Sequence, residues 1–167
     1  MLIPFYDQKP EVSPEAFLAE GAMLIGGVKV GPNANIWYNA ALRADRGPIV
    51  VGDYSSIQDC CVLHGPVNIG SHVIVGHAAV LHGATIEDNC VIGMNSVVLD
   101  NAVVGHGSVV AAGAVVPQGM QVPPHSMVAG VPAKVVKELP AENEEAFKKM
   151  AADYFEFARP HMSVSDQ

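Results

Sequence analysis

His64 and His82 have the type and spacing that chemistry needs: two imidazoles eighteen residues apart, each directly after a leucine, Leu63 and Leu81. Neutral imidazole is a common ligand for transition metals. If eighteen residues return the chain to the same flank one layer on, the rings stack at the ~4.8 Å of neighbouring strands. They could then share an ion at the ~2.0–2.1 Å of a zinc–nitrogen bond. His77 lies five residues before His82, across a corner and up to ~16 Å away along an extended chain, so it does not readily join the pair within one chain. Donated by a neighbour in a threefold assembly, it would give three ligands and an open position, the coordination of a catalytic zinc. Arg43 and Asp45, one layer earlier on the same flank, and Gln58 and Asp59 in the intervening stretch, are polar partners of the kind that orient metal ligands and bound water. A plain surface ladder of histidines is the competing reading.

The elements that must position these groups follow from a repeat. An aliphatic residue recurs every six positions through Val12, Leu18, Leu24, Val30, Ile36 and Leu42, then Val51, Ile57, Leu63, Ile69, Val75 and Leu81, then Ile86, Ile92, Val98, Val104, Val110 and Val116. Neither an amphipathic helix nor ordinary strand alternation has this period. A hexapeptide beat is the mark of a parallel β-helix, in which the aliphatic residue fills the bore and a small residue four positions later fits the corner. Three hexapeptides make one coil, hence the eighteen-residue return. The expected fold is an all-β solenoid over residues 12–135 with three faces per coil, preceded by a lead-in over 1–11. The beat gains three residues around Asp45-Arg46-Gly47 and loses one between Leu81 and Ile86. These breaks bracket the polar cluster, which suggests a backbone path bent for function; harmless loops are the alternative.

From Pro140 the composition changes, with Glu142, Glu144 and Glu145 ahead of Lys148 and Lys149, the order a helix macrodipole favours. A helix over 140–158 is expected to pack on the prism through Phe147, Met150, Ala151, Tyr154 and Phe157 or Ala158, with 159–167 a loose tail. Among 167 residues half are hydrophobic, 16% are charged and the net charge is −8. That balance argues against nucleic acid and anionic membrane, which need clustered Lys and Arg. No signal peptide or spanning segment is read from the chain. Of three cysteines, Cys61 and Cys90 fall in the corner column as compact hydrophobes, while Cys60 lies off it. The cytoplasm is the expected compartment. His72, His106, His125 and His161 share no column with the pair and read as surface or loop residues.

Arg43-Ala44-Asp45, then Gln58-Asp59 with His64 five residues beyond Asp59, then His77 and His82, resemble the γ-class carbonic anhydrase family of left-handed β-helix proteins. The resemblance covers nearly the whole chain, including the Gly130-Val131-Pro132-Ala133-Lys134 exit. It implies a left-handed prism, a homotrimer, and metal sites between subunits, where His64, His77 and His82 hold Zn2+, with Fe2+ or Co2+ as alternatives. It further implies that Gln58 bonds the metal-bound hydroxide that attacks CO2 to give bicarbonate. Arg43, Asp45 and Asp59 would tie subunits together and steady Gln58, and Tyr154 matches a tyrosine that some members bring near the site. The chain departs from the family prototype at the glutamates that ferry protons: Arg46 stands at one such position, and residues 65–76 contain no carboxylate and lack the acidic loop. It resembles the shorter branch, several members of which have weak, conditional or no hydratase activity.

Two other functions fit the same prism. Members linked to acyl-CoA chemistry, as thioesterases or acyltransferases, share a segment resembling Gly93-Met94-Asn95-Ser96. A metal-stabilised scaffold without catalysis is the third reading.

Overall fold

The aliphatic beat becomes three ladders of parallel strand pairs in the computed structural model, which describes residues 1–162. On the first face Leu24, Leu42, Leu63, Leu81, Val98 and Val116 lie in direct register. Val30, Val51, Ile69, Ile86, Val104 and Val122 do so on the second. Leu18, Ile36, Ile57, Val75, Ile92, Val110 and Val128 complete the third. Most of these side chains are fully buried, forming one continuous bore. This is the parallel β-solenoid expected from the six-residue period. The strands Met23–Val30 and Ala41–Val51 bend round a corner, so the first two faces join into one twelve-stranded sheet.

The ends of the solenoid are finished differently. Leu2–Ile3 adds a parallel strand beside Leu24–Ile25. At the other end Lys134–Glu138 turns back antiparallel on Ser126–Ala129. Corners rest on left-handed backbone: Asn33, Tyr54, His72, Asn89 and His125, with Gly107, have φ between 52° and 64°. Asn and His tolerate this region better than most residues.

The helix Asn143–Met162 covers that corner. Its buried residues are Ala151, Phe155 and Ala158, whereas Phe157 is 61% and Met150 41% exposed. The expected stripe is therefore rotated toward Phe155, whose ring lies edge-on to Tyr54 at 6.1 Å between centroids. The helix also continues through residues 159–162, expected as tail. Tertiary contacts hold this last turn: the Tyr38 hydroxyl and His161 Nδ1 are 2.7 Å apart, and Met162 packs on the Phe17, Ala19, Trp37 and Ala158 cluster. Residues 163–167 of the expected tail lie outside the described residues. At the other end Glu144 pairs with His106 and His125 at 2.6 and 3.3 Å. Partial burial works to raise the Glu144 carboxyl's pKa, but hydrogen bonds from His106 and Asn89 and the charge of both histidines hold it below its ordinary value.

Candidate metal centre

Arg43, His64 and His82 lie in register on three successive strands of the first face, the two histidines as the last residues of theirs. Both breaks in the beat act here. Residues 45–48 stand opposite Gly27 alone, since Gly26 pairs with Ala44 and Val28 with Ile49, which accounts for the three-residue gain. The bulge swings Asp45 over the next coil, where its Oδ1 lies 2.9 Å from His64 Nε2 and its Oδ2 pairs with Arg43. The deleted residue tightens the corner at Gly83, which has φ +62°, and a methyl there would overlap Asp100 Oδ1. Glycine thus leaves room for Asp100 to reach back to His82 Nδ1 at 3.0 Å. Partial burial works to raise the Asp45 pKa, but the His64 and Arg43 hydrogen bonds and charges hold it below the usual carboxylate value.

Carboxylates only accept hydrogen bonds, so Asp45 takes the Nε2–H of His64 and Asp100 the Nδ1–H of His82. In neutral rings the remaining nitrogens, His64 Nδ1 and His82 Nε2, are both lone-pair acceptors. They face each other at 3.1 Å. Two lone pairs at that distance repel unless a cation, a proton or a metal, lies with them. Nitrogens bound tetrahedrally to one zinc at ~2.05 Å would be about 3.3 Å apart. The donor set and its spacing therefore fit a metal ion, with each ring fixed by an outer carboxylate in the manner of metal-ligating histidines.

His77 belongs to a second group at the opposite edge of the first face. Its Nδ1 lies 2.8 Å from Asp59 Oδ2, leaving Nε2 free on a side chain 48% exposed. The chain thus brings Arg43, Asp45, His64 and His82 together, and Asp59 with His77, but no hydrogen bond or ion pair joins the two groups. Gln58, next to Asp59, is 3% exposed, and its amide bonds no other described residue. Tyr154 is half-buried against the Phe17, Ala19, Trp37 and Ala158 cluster, which Tyr38 also joins. Tyr38 precedes Asp59 by one coil at the same corner. His72 stacks on Tyr54 beneath the helix at 5.2 Å, at a different corner from His77. Ser96, in the segment resembling acyl-CoA enzymes, is fully buried, and its hydroxyl donates to the Gly93 carbonyl at 2.7 Å.

Residues 83–118 match the bacterial transferase hexapeptide (six repeats) family. A Methanocaldococcus jannaschii protein named "Probable carbonic anhydrase" is 48% identical over 147 residues, spanning 86% of this chain and 92% of the relative. The chain belongs to the γ-class carbonic anhydrase family. Gamma carbonic anhydrase 2 of Arabidopsis thaliana is 36% identical, over 99% of this chain and 63% of that protein. Among solved structures, a hexapeptide transferase family protein from Anaplasma phagocytophilum superposes with a TM-score of 0.92 at 38% identity, covering 96% and 97% of the two chains. Membership of the γ-carbonic anhydrase family implies a metal cofactor. Asp100 was missed in the sequence, where the lost residue beside Gly83 was the available signal. The His106–Glu144–His125 contact was missed as well, because Glu144 arrives from a distant element.

Proposed function

We propose that this γ-carbonic anhydrase family member catalyses the reversible hydration of CO2 to bicarbonate at metal centres completed between the subunits of a cytoplasmic homotrimer. The observation that carries the reading is the facing pair of acceptor nitrogens on His64 and His82, each ring held from behind by a carboxylate. His77 of a neighbouring copy would supply the third nitrogen, its ring already turned by Asp59. Zinc suits three imidazoles, with Fe2+ and Co2+ as alternatives. Such an ion, when bound, lowers the pKa of its water from 15.7 to about 7 and so supplies a nucleophile at neutral pH. Gln58 offers an amide free to orient the reacting water, and Arg43 keeps Asp45 ionised as the anchor of His64. Tyr154 is assigned a packing role near the same edge.

The trimer is supported by the outer side of the first face. Met23, Ala41, Val62, Val80, Val97 and Val115 form an apolar row there in register, with Met23 38% and Val62 41% exposed. The two histidine groups border this row, so a copy covering it would bring them together. Three unpaired cysteines suit the cytoplasm. Arg46 and the carboxylate-free 65–76 segment leave proton export as the weak step.

Stopped-flow CO2 hydration on metal-replete trimer tests the reading, with acyl-CoA hydrolysis measured on the same sample. Hydration that disappears in His82→Ala supports it. Zinc-, cobalt- and iron-loaded protein all matching the buffer rate overturns it, and acyl-CoA turnover without hydration would favour the acyl-transfer reading that the transferase-titled neighbour suggests.

A further inference from the structure

We infer that His106, His125 and Glu144 form a second, separate site for a divalent transition-metal ion, of the zinc class, which clips the C-terminal helix to the prism. One atom from each of the three residues lies within 4.8 Å of the other two. The donors come from three elements. His106 and His125 occupy successive turns of one corner, joined by the His125 N–H to His106 carbonyl bond of 2.9 Å. Glu144 is in the first turn of the helix.

A single carboxylate oxygen faces both rings. Glu144 Oε1 lies 2.6 Å from His106 Nδ1 and 3.3 Å from His125 Nε2, while Oε2 accepts from Asn89 Nδ2 at 3.0 Å. The His125 ring has only one direction open to it. Its Nδ1 is buried without a hydrogen-bond partner against Gly107, where a Cβ would approach it to 2.7 Å, so Nε2 carries the ring's polar interaction toward the carboxylate. Two imidazoles and a glutamate are a zinc donor set. Ligand atoms on one tetrahedral ion stand about 3.3 Å apart, so the His125–Glu144 pair already has that spacing, while the His106–Glu144 contact must open by a side-chain adjustment. The residues are half-buried, which leaves a fourth position for water. The ion would act through the fold: the helix start is otherwise held by the Asn89 bond and these two ion pairs.

Zinc content per chain and hydrogen exchange of the helix test the site on full-length protein. After exhaustive dialysis against a low, buffered zinc concentration, His82→Ala retains one zinc per chain, and His82→Ala/Glu144→Gln retains none. Glu144→Gln in the otherwise unaltered chain lowers the content by one equivalent, an outcome that does not depend on the interfacial centre. His106→Asn gives the same loss and guards against a folding defect in one variant. Zinc slows exchange across residues 143–155 in His82→Ala and leaves it unchanged once Glu144 is replaced. Zinc content that is the same with and without Glu144 and His106, or exchange indifferent to zinc in His82→Ala, overturns the inference.

Discussion

Replacing Asp100 by Asn should weaken zinc binding without dismantling the prism. Asp100 touches the centre only through His82 Nδ1, at 3.0 Å, and its side chain is 45% exposed, so the substitution leaves no buried cavity. What changes is the character of the acceptor. A carboxylate fixes the Nδ1–H tautomer and feeds charge into the ring, whereas an amide can offer that nitrogen either an oxygen or an NH2 group. Hydrogen bonds to charged groups contribute about 1.5–3 kcal/mol against about 0.5–1.5 for neutral ones, a difference of about 1–1.5 kcal/mol. Outer-sphere partners of metal-bound histidines change affinity by about 10–100-fold when replaced, and exposure of Asp100 puts the expected loss at the lower end, about tenfold. Asp45→Asn should have the larger effect, since Asp45 is 20% and His64 12% exposed and less solvent screens the contact. Competition with a chromophoric chelator on trimeric protein reads both constants. Equal zinc affinity in wild type, Asp45→Asn and Asp100→Asn would refute the assignment of these carboxylates as outer partners, even if the histidines bind metal.

Leu63→Ala, in the fully buried bore ladder, should lower unfolding free energy by about 2–5 kcal/mol, measured by urea titration at fixed protein concentration; a loss under about 1 kcal/mol would mean the bore collapses around the gap. Burial pushes the Cys61 and Cys90 thiols up to about 12 from 9.0, so the folded state keeps protons that the unfolded chain sheds. Their contribution is complete below pH 9 and falls as pH rises toward 12, by about 1.4 kcal/mol per pH unit for each thiol. Cys61→Ala/Cys90→Ala should therefore lose stability more slowly than wild type between pH 9 and 10.5, and parallel losses would contradict it. In native protein a thiol reagent should modify exposed Cys60 alone, which mass spectrometry reports. If proton export limits turnover, CO2 hydration should rise with imidazole buffer concentration at constant pH and ionic strength; a flat response would place the slow step elsewhere.

The scaffold was legible in the sequence because a solenoid repeats one packing problem. Every bore position faces the coil before and the coil after, so the same aliphatic choice recurs at Leu42, Leu63 and Leu81, and register follows from counting. His64 and His82 could be paired for the same reason. Features that depend on elements meeting out of step were not legible. The helix's own periodicity offered Phe157 or Ala158 for burial; Ala158 is buried and Phe157 is not, because Tyr54 and the Phe17–Trp37 cluster determine which face docks, and they select Phe155 as well. The last helical turn persists because His161 and Met162 find partners on the prism, which no local propensity encodes.

Repetition also explains why the polar centre lies where the repeat fails. A uniform coil would set His64 above Arg43 and His82 above His64, giving a column of nitrogen groups with no acceptor among them. Each histidine is instead served by an acid from an adjacent coil: Asp45 for His64 and Asp59 for His77 from the coil before, Asp100 for His82 from the coil after. Asp59 reaches its ring within the normal corner geometry. The other two acids do not align with their rings in an unbroken beat, and three extra residues in one place and one fewer in another supply the displacement. Restoring the beat separates these causes. Deleting three of residues 45–48 should leave the bore intact while removing the Asp45–His64 contact, so the variant would fold and assemble yet bind zinc more weakly than wild type. If that variant keeps full zinc affinity, the bulge is a tolerated loop and the link between register and chemistry fails.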